Sequence, residues 1–345
     1  MHSDRGQRGP SPSAIARAFG LGVPTGPLEA VGVGRARHHL WRLSTTRGRF
    51  VVKALGRDQG LGADVRELQG PVRLELAALA AGVPMPRPYL VRGSDAGVAA
   101  VPIRGRQPVL VGVHAWVDGS TATAPGSTEL AVQLGGALAV IHRIGLAGGE
   151  DAEVDPWYRA AHGAAHWGGL ADRAEQARLG WAAGLRAALP MLAEVEALAA
   201  ARAAETVPLV VTHSDLVPGN VLVSAKGRVW IVDWDDAGPW NAAEEVAAAV
   251  VSWSTGPQGE PDARVALALV EGYRRAGGTF AAGSPTVLAG SLSAAANWLE
   301  LKVRSGLSSA ADARGSVRAG AEVAEALGQL GWRWTRLGRW TELLC

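Results

Sequence analysis

Between residues 29 and 118 the apolar positions come in short, Val-rich runs separated by turns containing Gly, Arg or Thr. Such runs predict strands. They place strands at 29–33, 38–43 and 50–55, with turns starting at Gly34 and at Thr45. A further pair at 98–102 and 108–116 predicts a hairpin. One helical period interrupts the strands at 63–81, with a possible break at Gly70–Pro71, where Pro71 suits a first helical turn. The G-V-P-M-P-R-P segment at 82–88 ends that helix. An upstream helix at 14–21 has Ser11 or Ser13 as cap candidates.

Beyond residue 118 the period lengthens. Residues 127–142, 155–166, 170–204, 241–253, 260–276, 290–307 and 308–330 carry helical spacing. The exception is 207–236, where apolar runs at 207–211 and 229–232 flank 220–223 and each run ends in polar residues. The pattern predicts an α+β protein. Residues 1–12 form a disordered tail, 13–118 an antiparallel sheet with one main helix, and 119–345 a mostly helical part. Gly, Ser, Thr and Pro cluster at 118–125, marking the boundary.

Composition narrows the function classes. The chain has 345 residues, 48% of them hydrophobic, and a formal net charge of +2. It is a folded protein without the basic field of a nucleic-acid binder. No apolar run approaches the roughly 18–20 residues of a membrane span. No apolar segment follows the N-terminal basic residues, so a cytoplasmic location is expected. The single cysteine, Cys345, excludes an internal disulfide.

The candidate chemistry sits at the ends of strand-like runs. Asp215, Asn220 and Asp233 form an oxygen-donor set that suits Mg²⁺ and not zinc. Lys53 is one of only three lysines and lies inside the apolar run F-V-V-K-A-L, so it needs a counter-charge. Glu75, flanked by Leu74, Leu76 and Leu79, is the natural partner, with Glu67 as its rival.

H-S-D-L-V-P-G-N at 213–220, followed by I-V-D-W-D-D at 231–236, resembles the catalytic core of the aminoglycoside phosphotransferase and choline kinase group. The usual form there is H-G-D-L-H-x-x-N followed by I-D-W. The V-V-K-A-L strand, the 82–88 turn, H-A-W-V-D-G at 114–119 and L-G-x-x-L-A-x-I-H ending at His142 resemble the same family, in the same order. The resemblance covers roughly residues 15–305. It implies a bilobal protein-kinase-like fold and an ATP-dependent phosphotransferase acting on a hydroxyl of a small molecule, with a cationic acceptor as one expectation. The acceptor could be an aminoglycoside or other antibiotic, or a metabolite such as choline, ethanolamine, homoserine or an amino sugar. A non-catalytic nucleotide-binding module is the remaining alternative.

By the same resemblance Asp215 takes the acceptor proton, Asn220 and Asp233 hold Mg²⁺, and Lys53, steadied by Glu75, contacts the ATP phosphates. Gly32 and Gly34, with the amides of 35–38, cover the phosphates. His114, Ala115, Trp116 and Val117 receive adenine through the main chain. His213 is expected to be an internal hydrogen-bonding residue. Ser214 stands where the family has glycine, and Val217 where it has a second histidine. Asp235, Asp236, Trp240 and Glu245 are the acceptor-binding candidates, since carboxylates and indoles receive cations. Trp157 and Trp167 are further candidates for lining that pocket. Glu244 and Glu245 also suit the first turn of the helix they open.

Overall fold

A computed structural model describes residues 9–33, 39–55, 69–103, 106–145, 153–159, 162–281, 284–309 and 313–344. Helix α1 (Pro12–Ala18) starts two residues before the sequence-based expectation, capped by Ser11, whose hydroxyl accepts from the Ala14 amide. Strands β1 (Glu29–Val33), β2 (His39–Thr45) and β3 (Gly48–Leu55) follow, then α2 (Gln69–Ala80), β4 (Val98–Ile103), β5 (Arg106–Ala115) and the short β6 (Ser120–Thr121). Then come α3 (Thr128–Arg143), α4 (Ala164–Gln176), α5 (Ala182–Ala187), α6 (Leu189–Ala203) and β7 (Val210–Thr212). Strands β8 (Val221–Val223), β9 (Val229–Ile231) and β10 (Gly238–Trp240) precede α7 (Ala242–Ser254), α8 (Ala263–Arg275), α9 (Ala289–Ser308), α10 (Ala313–Thr335) and α11 (Leu337–Leu344). No described helix is long and apolar enough to cross a membrane. The expected tail at 1–8, the turn at 34–38 and the helical stretch at 63–68 lie outside the described residues.

The chain divides into two compact units, Met1–Ala122 with Gly219–Ala237, and Thr123–Pro218 with Gly238–Cys345. The sequence-based boundary at 118 assigned 219–237 to the helical part. That segment belongs with the sheet instead. β8 pairs antiparallel with β6, and the Ile231 amide donates to Pro84 O at 2.7 Å.

In the first unit a five-stranded antiparallel sheet runs β1-β2-β3-β5-β4. Side chains alternate across it. Phe50, Val52 and Ala54 of β3 point into a core with Leu43, Val101, Val109, Val111, Val113 and the α1 residues Ile15, Ala16 and Phe19. Lys53 therefore points to the opposite face. Its register partner on β5 is Gly112, and His114 lies two residues along on the same face. α2 brings Val72 and Glu75 to that face, where they line a cavity with Lys53, Gly112 and His114.

The second unit is helical around a core of Trp167, Leu170, Leu185, Leu192, Val195, Leu292, Leu299, Val323 and Leu330. α3 is capped by Ser127 and buries Ala131, Leu134, Gly135, Leu138, Ile141 and His142 at helical spacing. It crosses α8 so closely that a Cβ on Gly135 would lie 2.0 Å from Leu269 O, and one on Gly272 would lie 2.2 Å from Val132 O. The glycine of the L-G-x-x-L-A motif thus permits this backbone approach.

Gly135→Ala should destabilise the protein by about 3 kcal/mol through overpacking. Gly136→Ala, where the nearest atom would be 3.9 Å away, should be neutral or stabilising by up to ~1 kcal/mol, from helix propensity. Urea unfolding of the two variants checks the difference.

Candidate active site

Lys53 is 8% exposed. A buried ammonium needs compensation, and two carboxylates supply it. Lys53 Nζ donates to Asp233 and lies 2.7 Å from Asp235 Oδ2. Burial alone would lower the Lys53 pKa, but Asp235 and Asp233 outweigh it and hold the group above its ordinary value. Lys53 is therefore charged at neutral pH. The counter-charge expected at Glu75 is elsewhere: both Glu75 oxygens meet His114 Nε2, at 3.2 and 3.0 Å. The register explains the exchange, because His114 stands on the α2-facing side of β5. Burial opposes protonation of His114, yet Glu75 prevails and raises its pKa. Glu67, the rival partner, lies outside the described residues.

Asn220 and Asp233 both belong to the first unit. The β8–β9 hairpin pairs Val221 with Ile231, and the Val232 amide donates to Asn220 O at 2.9 Å. Both residues therefore flank one end of the hairpin. Asp233 has φ +66°, a left-handed conformation that costs a non-glycine residue roughly 1–2 kcal/mol. An amide oxygen and carboxylate oxygens are the ligands a hard divalent cation takes, so this set fits Mg²⁺.

The expected adenine segment is already engaged at two points. The Ala115 amide donates to Arg87 O at 2.8 Å and the Trp116 amide to Arg49 O at 3.1 Å. Those main-chain donors are spent on β3 and the 82–88 turn. The Trp116 indole donates to Asp118, with the Arg42 and Arg49 guanidinium groups 5.5 and 5.9 Å from its ring. Gly32 sits in β1 beside a register irregularity. Gly34 and the amides of 35–38 lie outside the described residues.

Asp215 belongs to the second unit, five residues before Asn220 in the chain. Its amide donates to Nδ1 of the fully buried His213 at 3.3 Å, so that histidine is the internal hydrogen-bonding residue expected. Ser214 has φ +67° and directs its amide to Glu245 Oε1 at 2.7 Å. Glu245 also accepts from the Thr212 hydroxyl and lies 2.6 Å from His142 Nε2, whose Nδ1 meets the Tyr273 hydroxyl at 2.8 Å. Burial alone would raise the Glu245 pKa. Hydrogen bonds from His142 and Thr212, with the attraction of His142, hold it below the ordinary range. The Tyr273 phenol is pushed up to about 12 by burial and by the charge of Glu245. Glu245 thus fixes the backbone on which Asp215 stands.

The structure places the four acceptor candidates differently. Glu245 is 1% exposed and consumed by this network. Trp240 is equally buried, stacks on Tyr158 at 4.3 Å and donates to Glu244. Asp235 faces Lys53. Among the four, Asp236 alone is exposed. Glu244 and Glu245 occupy the first turn of α7, behind the Asn241 cap, where helix polarity favours them. Trp167 is a core residue, whereas Trp157 is exposed. Sequence reasoning missed the structural role of His142, although the I-H ending of its helix motif marked the position. It also missed the His114–Glu75 pair, which only strand register reveals.

The fold, with its five-stranded antiparallel sheet and helical unit, is that of protein-kinase-like phosphotransferases. The chain belongs to the phosphotransferase enzyme family, whose model matches residues 29–278. Solved structures agree in fold. An amicoumacin kinase, in complex with AMP-PNP, Ca²⁺ and Ami, has a TM-score of 0.62 at 15% identity, over 92% of this chain and 90% of that one. A spectinomycin phosphotransferase with ADP and spectinomycin has 0.62 at 12%, over 93% and 96%. A choline kinase from Streptococcus pneumoniae has 0.53 at 15%, over 87% and 92%. No curated protein matches in sequence.

Two variants probe the Glu245 network by chemical denaturation. Glu245→Gln should cost about 3 kcal/mol near neutral pH, the order expected when the donors around a buried carboxylate lose their charged acceptor. The depressed folded pKa places this stabilisation above the carboxylate range. The gap to wild type should therefore shrink as pH falls below ~4. Ser214→Gly should stabilise the fold by up to ~1 kcal/mol by removing the left-handed strain.

Proposed function

We propose that this phosphotransferase moves the γ-phosphate of ATP to a hydroxyl of a small molecule. The observation that carries the reading is the Lys53–Asp233–Asp235 cluster beside Asn220, within the family's motif order. An ammonium has three N–H donors. Two of those on Lys53 meet Asp233 and Asp235, and the third serves a phosphate oxygen. Asn220 and Asp233 would hold Mg²⁺, which supplies charge neutralisation to the phosphates. The cavity lined by Lys53, Val72, Glu75, Val98, Gly112 and His114 suits the nucleotide, and the 114–117 segment would receive adenine. Asp215 accepts the acceptor's hydroxyl proton as the oxygen–phosphorus bond forms. The bond from the γ-phosphorus to the bridging oxygen breaks, and ADP leaves with that electron pair.

The acceptor is a small alcohol of the kinds that related folds handle: a hydroxylated antibiotic or an amino alcohol. Burial of Trp240 and Glu245 removes two of the residues that argued for a cation pocket. Asp236 remains the exposed carboxylate for an amine on the acceptor.

An ADP-release screen over aminoglycosides, other hydroxylated antibiotics, choline and amino sugars tests the reading. One class should give turnover. Asp215→Ala should lower that turnover by about 10²–10⁴-fold while nucleotide binding persists. A variant turning over at the wild-type rate would remove Asp215 from the mechanism. Nucleotide binding without transfer to any acceptor would favour the non-catalytic reading.

A further inference from the structure

We propose that His162, His166 and Glu300 form a second metal site in the helical unit, for a divalent ion of the zinc class. Among the described residues they are the one His/Cys/Asp/Glu group with ligand atoms gathered closely enough, all within 4.8 Å of one another. Two imidazole nitrogens and a carboxylate are a borderline-soft donor set that suits Zn²⁺, Co²⁺ or Ni²⁺. The oxygen-only set of Asn220 and Asp233 suits Mg²⁺, so the two sites differ in ion preference.

The three side chains lie close together. His166 Nε2 is 3.2 Å from Glu300 Oε1. Two ligands on one tetrahedral ion at zinc bond lengths stand roughly 3.3 Å apart. Yet His166 Nε2 is buried and makes no hydrogen bond among the described residues. Such an orphaned ring nitrogen beside a carboxylate calls for a partner. The His162 and His166 rings stack with centroids 4.8 Å apart, and both meet the edge of Trp167.

The surrounding residues hold this arrangement in place. The amides of His162 and Gly163 donate to the two oxygens of buried Glu196, at 2.8 and 2.5 Å, and the Trp167 indole donates to the same carboxylate at 2.7 Å. Asn297 Nδ2 donates to Trp157 O at 2.8 Å, so its Oδ1 is turned to His162 Nε2 at 2.7 Å. That orientation puts the His162 proton on Nε2 and the lone pair on Nδ1. An oxygen fixing the far nitrogen of an imidazole is a common support for a metal-bound histidine. The neighbouring cations leave room for a dication. Lys302 is engaged by Glu322 and Trp298, and Arg304 pairs with Glu300 along α9 without displacing it from His166. The His166 and Glu300 side chains remain 26% and 16% exposed, so an ion can enter from solvent.

Titration of the full-length, nucleotide-free protein with Zn²⁺ by calorimetry, and with Co²⁺ by visible absorption, tests the assignment. Saturable 1:1 binding with tetrahedral Co²⁺ bands is expected. Affinity should fall by about tenfold or more in His166→Ala and in Glu300→Gln, and should persist in Asn220→Ala. Circular dichroism and a cooperative melt certify each variant as folded, and His162→Gln replaces any that is not. No saturable binding by the wild type would overturn the proposal. So would equal affinity in folded His166→Ala and Glu300→Gln, or binding lost in Asn220→Ala alone.

Discussion

Much of the first unit follows from one constraint: the Lys53 ammonium is buried inside a strand and must be neutralised. β3 gives one face to the apolar core, which forces Lys53 onto the other. Carboxylates must then be delivered there, and they come from the end of β9, some 180 residues on. An unpaired buried ammonium is costly, so the hairpin at 219–237 is tied to the sheet-bearing unit although most of its sequence neighbours are helical. The same tie brings Asn220 beside Asp233. The charge balance of the fold and the placement of the residues proposed to hold phosphate and metal are one arrangement.

The second unit solves a parallel problem around Glu245. Its carboxylate is out of water and satisfied from three directions, by His142, by the Thr212 hydroxyl and by the Ser214 amide. The last contact requires Ser214 to adopt a left-handed backbone, a conformation glycine would take without strain. A buried acid from α7 and a histidine from α3 thereby set the course of the loop that carries Asp215.

The strands and helices were largely legible because burial imposes periods of two and of 3.6 on the apolar residues. β1 matches its expected bounds, and α7, α8 and α9 lie within three residues of theirs. The need of Lys53 for a counter-charge was legible for the same reason. Its identity was not. Glu75 was the acid that the leucines of the following helix singled out, but strand register places His114 against it, and no local pattern encodes register across a sheet. Trp240 and Glu245 misled for a related reason. An indole and a carboxylate after a metal motif look the same in sequence whether they face a ligand or a core. Only the stacking on Tyr158 and the contact with His142, both distant in the chain, decide it. The short strands β6 and β10 escaped notice because two or three residues carry no readable period.

The measurement that bears most directly on this account is calorimetric titration of Mg·ATP into the wild-type protein and into Lys53→Met, a variant that keeps the length and apolar stem of the side chain. If Lys53 holds the nucleotide phosphates, the wild type binds and the folded variant loses at least about tenfold in affinity, roughly 1.4 kcal/mol. Equal affinity in the two proteins would contradict the account, leaving Lys53 a structural counter-ion and the phosphate site elsewhere.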